Sequence, residues 1–154
     1  MPSKKLKVFL SYAHEDEEMK NQLDKFLVNL KRSGSIEVWQ DQELLAGTEW
    51  DVSLKKELTE ADIILLLISV DFNASGYIWT KELATAMQRH ENGQARVIPI
   101  ILRNCEWTDM PYAKLQALPA NGKPVSEYAD KDKAYTEIAK EIRRVVDYYA
   151  NKDS

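Results

Sequence analysis

The chain has 154 residues, 44% of them hydrophobic and 30% charged, with a net charge of −4. That is enough for one folded, soluble domain with a sizeable core, too little for two ordinary ones, and too apolar for a disordered chain. Its 21 basic and 25 acidic residues are mixed along the sequence, so no basic block could neutralise a run of phosphates and nucleic acid is not an expected partner.

The chain opens MPSKKLKVFLSYAHEDE, basic and then briefly apolar. Val8 to Leu10 is too short for the core of a signal peptide and runs into charges. Leu6 to Tyr12 (LKVFLSY) reads as a strand. Met19, Leu23, Phe26, Leu27 and Leu30 then recur at three and four, which predicts an amphipathic helix ended by Gly34. Ile36 to Asp41 alternates as a second strand, residues 42–49 form a loop, and Trp50, Leu54 and Leu58 mark a short helix. Ala61 to Ser69 (ADIILLLIS) is apolar almost throughout, as a strand covered on both faces should be. Its central stretch, Ile63 to Ile68, is the longest apolar run and far below membrane-spanning length, so a cytosolic domain is the plain reading.

A helix from about Tyr77 to Glu91 follows, then a strand from Ala95 to Leu102 in which Pro99 predicts an irregularity or an edge position. The long connection from Arg103 to Gly122 carries Trp107, Leu115 and Leu118, enough apolar surface to be packed down, with Trp107 as its anchor. A weak strand near Pro124 to Tyr128 precedes the clearest helix, marked by Tyr135, Ile138, Ile142, Val145 and Tyr149. Strand and helix therefore alternate over a single domain, residues 1–154, with its core at about 5–149. The prediction is an α/β fold, a three-layer sandwich with a central parallel five-stranded sheet flanked by helices. The end of the chain soon after that helix fits a whole protein and an excised module equally.

In such a sheet, ligands bind beyond the C-terminal ends of the strands, so the segments after Tyr12, Asp41, Ser69 and Leu102 are the ones to inspect. No glycine-rich dinucleotide fingerprint follows the first strand, where SYAHEDEE stands instead, and there is no P-loop or GxSxG elbow. A lone cysteine, Cys105, excludes an intrachain disulfide, and the two histidines, His14 and His90, lack metal-motif spacing, so no metal is expected. Asp41 and Asp62 do not assemble a phosphoacceptor cluster, since Asp62 opens its strand instead of ending it.

Glu82 stands out in the segment SGYIWTKELATAMQRH. Trp79, Leu83, Ala86 and Met87 form the buried stripe of the helix, and at ~100° per residue Glu82 falls roughly 85° from its centre, on the border. Two readings fit. A first-turn glutamate gains from the free amides and dipole of the helix, and a carboxylate at that border also fits the wall of a pocket below the loop after the third strand.

Taken in order, KVFLSYAHEDE, IEVWQDQELLAGTEW, ADIILLLIS with YIWTKEL behind it, and ARVIPIIL resemble the TIR (Toll/interleukin-1 receptor) domain family, with the closest likeness to its bacterial, NAD+-consuming members. The resemblance covers about Lys5 to Val146 and implies the flavodoxin-like TIR fold. Residues 41–49 then look like the BB loop, which lies over the pocket and takes part in self-assembly. Glu82 occupies the family's WxxE position, the catalytic carboxylate of members that consume NAD+. By the same resemblance NAD+ is the substrate and no cofactor is needed. Nicotinamide would leave to give ADP-ribose or a cyclic form, and activity would depend on TIR–TIR contacts, in a role such as anti-phage defence.

Other residues carry two readings each. Tyr12 and Ala13 end the first strand, where the family contacts nicotinamide; Tyr12 reads as a stacking platform or as a core tyrosine. His14 reads as a phosphate or ribose contact or as the polar start of a loop. Asp41 caps the following loop or contacts ribose, and Leu45 and Gly47 belong to that loop's tip. Trp79 is three residues before Glu82, whereas some NAD+-cleaving members place the aromatic four before; Ile78 holds that position here, so the shelf for a planar ring is differently built. Trp39 reads as core and Cys105 as an incidental thiol. A non-catalytic TIR–TIR interaction module shares every one of these features, and a sensor domain fused to either would lie outside this chain.

Overall fold

The computed structural model describes residues 5–40, 56–75, 83–119 and 122–152. Strands β1 (Leu6–Ser11), β2 (Ile36–Gln40), β3 (Ile63–Ile68) and β4 (Arg96–Ile101) form one parallel sheet in the order β2-β1-β3-β4. Phe9 sits opposite both Trp39 and Ile64, which fixes the register of the centre. Helices α1 (Glu17–Phe26), α2 (Val28–Arg32), α3 (Val70–Ala74), α4 (Leu83–Glu91) and α5 (Lys131–Lys152) cover it.

Two layers of core follow from the alternation of side chains along the strands. On one face Ile63, Leu65 and Leu67 meet Leu23 and Leu27 of the α1 side and Ile138 and Ile142 of α5. Phe26 stacks on Tyr135 across that layer, ring centroids 5.4 Å apart. On the other face Ile64, Leu66 and Ile68 meet Leu58, Phe72 of α3, and Leu83, Ala86 and Met87 of α4. All six β3 residues are fully buried, each contributing roughly 1.5–3 kcal/mol of apolar transfer. The apolar run is therefore the doubly covered strand expected of it. Trp39 stacks on Phe9 at 5.1 Å, in the core role expected of it.

Three local expectations need correction. The helix read through Leu30 is broken at Leu27, whose φ of −94° and ψ of 1° leave the α region. Its N–H bonds Asp24 O, three residues back, and this tighter turn seats Leu27 fully in the core. The segment between Ser69 and Ser75, read as loop, contains α3, with Ser69 Oγ accepting from the Phe72 N–H at 3.1 Å as its N-cap. The weak strand near 124–128 is a 3-10 turn, Val125–Glu127. There Val125 is buried and the Ser126 N–H bonds Leu102 O at 2.9 Å, so the segment closes the end of β4 instead of lying beside it.

The place beside β4 goes to Leu118, in a single parallel bridge with Ile100. Leu118 N–H donates to Pro99 O at 2.9 Å and Leu118 O accepts from Ile101 N–H at 2.8 Å. Pro99 therefore turns its missing N–H to the outer edge and costs the β3 ladder nothing, which is the edge position its type predicts. Four strands are described where five were expected.

Further along that edge the Val97 N–H donates to His90 Nδ1 at 3.1 Å, which requires an unprotonated nitrogen. Burial, then Arg96 and Lys114, hold the imidazole below its ordinary 6.5, while Glu91 pulls the other way. The unfolded chain takes up the proton near that value and the folded chain resists it. Stability is thus intact above pH 6.5 and declines as pH falls below it. Urea midpoints compared at about pH 7.5 and about pH 5.5 should show the loss, and His90→Gln should shrink the difference.

Gly122 closes the long connection at a φ of +71°, and a Cβ there would lie 2.8 Å from the Trp107 ring. Trp107 packs on the α4-side core and anchors the connection as expected. Gly122→Ala should lower stability by about 1–3 kcal/mol, from backbone strain plus collision with the indole. Urea denaturation checks this against Gly34→Ala, where φ is +78° but the added methyl meets open space.

Candidate functional site

Chain direction reverses between β1 and β3. After β1 the chain moves outward to β2, and it then returns to place β3 on the other side of β1. The C-terminal ends of these two strands frame the crevice in which such sheets take ligands. Ser11, Tyr12 and Ala13 are buried there, at 0%, 2% and 4% exposure, and His14, which opens the following 3-10 turn, is exposed. Tyr12 belongs to the α1-side core, with Lys20 Nζ 5.1 Å from its ring centroid, and Ala13 to the α4-side core. The loop thus crosses over the top of the sheet with its first two side chains pinned to opposite faces.

Beneath this loop lies a buried polar network. Asp16, 2% exposed, receives Ser69 Oγ–H from the end of β3 and Arg103 Nε–H, at 2.8 Å, from the segment after β4. Arg103 Nη2 reaches Asp71 in the first turn of α3. A carboxylate this deep is stable only when paired, and here it has a guanidinium and a hydroxyl. The hydrogen bonds to Asp16 and Asp71 in turn raise the pKa of Arg103.

Around the far end of α3, Tyr112 O–H donates to Asn73 Oδ1 at 2.6 Å, and Asn73 Nδ2 lies 3.7 Å from Cys105 Sγ. Burial pushes both the Tyr112 phenol and the Cys105 thiol upward, which suits structure and not nucleophilic chemistry. At the opposite end of the sheet Asp62 Oδ2 accepts from the Lys7 N–H at 2.9 Å, a strand-start role far from the crevice.

Of the predicted site residues, Tyr12, Ala13 and His14 are described and directly follow the C-terminal end of β1. Asp41, Leu45, Gly47, Ile78, Trp79 and Glu82 lie outside the described residues. In chain order the segment containing Glu82 runs from the end of α3 to Leu83, the first residue of α4 and fully buried. Sequence reading named the strand ends but missed Asp16, Ser69, Asp71 and Arg103. The available signals were slight: a serine and an aspartate spaced as a helix cap after β3, and one arginine after an apolar strand.

A doubly wound parallel sheet in this order, with loops and a buried ionic network over the β1 and β3 ends, defines a flavodoxin-like α/β domain. The chain belongs to the TIR domain family, whose model matches residues 8–144. It is 46% identical over 143 residues to "Uncharacterized protein y4lF" of Sinorhizobium fredii, covering 93% of this chain but 43% of that protein. The chain thus spans less than half the length of this relative.

Among solved structures, the TIR domains of the activated Roq1 resistosome that recognises the pathogen effector XopQ superpose with a TM-score of 0.65 at 20% identity, over 90% of this chain and 99% of that one. The TIR domain of the Toll-related receptor TRR-2 from Hydra magnipapillata gives 0.54 at 19%, over 88% and 97%. Both likenesses are of fold. Among the described residues, no helix is long and apolar enough to cross a membrane.

Proposed function

We propose that this chain is an NAD+ glycohydrolase, with Glu82 as its catalytic carboxylate and NAD+ as substrate instead of cofactor. The observation that carries the reading is the chain's membership of the TIR family together with the WxxE spacing Trp79–Glu82 directly ahead of α4. TIR domains include NAD+-cleaving enzymes and signalling modules. The likeness to the bacterial enzymes is part of the proposal.

The chemistry asks little of the protein beyond electrostatics and position. The bond between nicotinamide N1 and ribose C1′ breaks with both electrons going to nitrogen, so the pyridinium leaves as neutral nicotinamide. Positive charge builds on the ribose as an oxocarbenium ion, as in other glycosyl transfers. Glu82 holds the ribose hydroxyls and stabilises that charge. Water then adds to C1′ and loses a proton, giving ADP-ribose, or an adenine nitrogen adds and gives a cyclic isomer. In this reading the turn carrying Tyr12, Ala13 and His14 meets the nicotinamide riboside through its backbone and His14, and Asp41, Leu45 and Gly47 are assigned further contacts to NAD+.

Self-association belongs to this reading, with the loop after β2 completing a neighbour's site, in a cytoplasmic defence role such as immunity to phage. Incubation with NAD+ over a range of protein concentrations tests it. Nicotinamide should appear at a rate rising more steeply than protein concentration, with ADP-ribose or a cyclic isomer in equal amount. A TIR–TIR interaction module without catalysis would release none.

A further inference from the structure

We propose that Arg103 is a positioning residue, which holds the loop after β1 against the first turn of α3 and so sets the shape of the crevice over the β1 and β3 ends. The inference deepens the NAD+ reading, since it concerns the same crevice, but it rests on the observed contacts of three segments far apart in sequence.

One guanidinium serves two carboxylates in different directions. Its Nε–H donates to Asp16 Oδ1 at 2.8 Å and its Nη2 to Asp71 Oδ2, while Ser69 ties Asp16 to the end of β3. The Asp16 end is buried at 2% side-chain exposure, whereas the Arg103 and Asp71 side chains are 37% and 35% exposed. Solvent screens a pair exposed by more than a third on each side, so the Arg103–Asp71 contact contributes little to global stability. What it supplies is direction. A planar fork fixes both partners at once, which the single point charge of lysine cannot do. The segment bearing Arg103 is itself fixed to the sheet by Leu102 N–H on Ile68 O at 2.9 Å, so the clamp has a rigid base. A nucleotide lying over these strand ends would meet a loop and a helix start whose separation Arg103 determines.

The test uses Arg103→Lys, Asp71→Asn and Asp71→Glu in the whole chain, read by amide hydrogen exchange and by nicotinamide release. Asp71→Asn leaves the buried Asp16 pair intact, so it tests the clamp even if Arg103→Lys folds poorly. Exchange at residues 70–73 should rise at least about tenfold in Asp71→Asn, and at residues 13–16 as well in Arg103→Lys, with β3 unchanged. Release should fall about tenfold to a hundredfold in kcat with KM within about threefold, and Asp71→Glu should restore most of it.

Exchange indistinguishable from wild type at both segments overturns the proposal, as does a uniform rise through β3, which would mark a merely structural bond. Loosened segments with unaltered kcat overturn the positioning role. A wild-type chain that releases no nicotinamide defeats the NAD+ reading instead, and the exchange pattern then decides by itself whether Arg103 sets the crevice.

Discussion

Replacing Glu82 by alanine is expected to reduce nicotinamide release by at least about a hundredfold while the fold stays in place. The departing nicotinamide is neutral and needs no general acid, so the burden of catalysis falls on the positive charge that grows on ribose. One carboxylate aimed at that charge in a site closed to water is worth roughly two to three orders of magnitude. The two carboxylates of the buried network are already engaged and do not substitute for it: Asp16 is bound to Ser69 and Arg103, and Asp71 is held by Arg103. As a helix-start carboxylate, Glu82 would contribute only about 0.3–1 kcal/mol to stability. The two readings of this residue therefore separate cleanly. Loss of turnover at a nearly unchanged melting temperature assigns it to the chemistry, and unchanged turnover with a slightly lower melting temperature makes it a helix-start charge.

The largest effect on stability is expected at β3. Leu66 is fully buried, pairs in register with Ser11 and Pro99, and belongs to the cluster that includes Phe72 of α3 and Leu83 of α4. Leu66→Ala removes three carbons from a site gripped on both sides, where little relaxation is possible, and should cost about 3–5 kcal/mol. For a domain of this size that is a fall of about 10 °C or more in melting temperature. Because the same cluster seats the elements on either side of the Glu82 segment, turnover should fall even at temperatures where the variant remains folded. Val70→Ser, at a side chain 56% exposed, is the control and should shift stability by less than about 0.5 kcal/mol. Thermal melts of both variants check the contrast.

The sheet was legible because its strands are apolar runs between polar punctuation. Ala61–Ser69 and Ala95–Leu102 bracket β3 and β4 within two residues at each end. Leu23, Leu27 and Leu30 announced a core-facing stripe, yet period alone cannot show the break at Leu27, which keeps the same leucines buried on either side of it. The segment Pro124–Tyr128 failed as a strand because Val125 finds burial through a turn, while the bridge to β4 is made by Leu118, a single residue with no strand pattern of its own.

The polar network was harder still. Asp16 stands in the run HEDEE, where Glu15 and Glu18 are acids too but are exposed, and its partner Arg103 is 87 residues away. Such a pair is created by the order of strands, which brings the ends of β1, β3 and β4 together, and no local pattern encodes it. Of the candidate site, Tyr12 and Ala13 were marked by the strand end they occupy. Glu82 was marked by the WxxE spacing and the resemblance it carries.

The most direct measurement is nicotinamide release from NAD+ by the domain tethered at high density on a surface, where self-association is enforced. Steady release is expected, with ADP-ribose or its cyclic isomer as the second product. Absence of release under that enforced assembly would contradict the NAD+ reading, and would leave a TIR domain whose crevice, clamped by Arg103, serves contact between copies instead of catalysis.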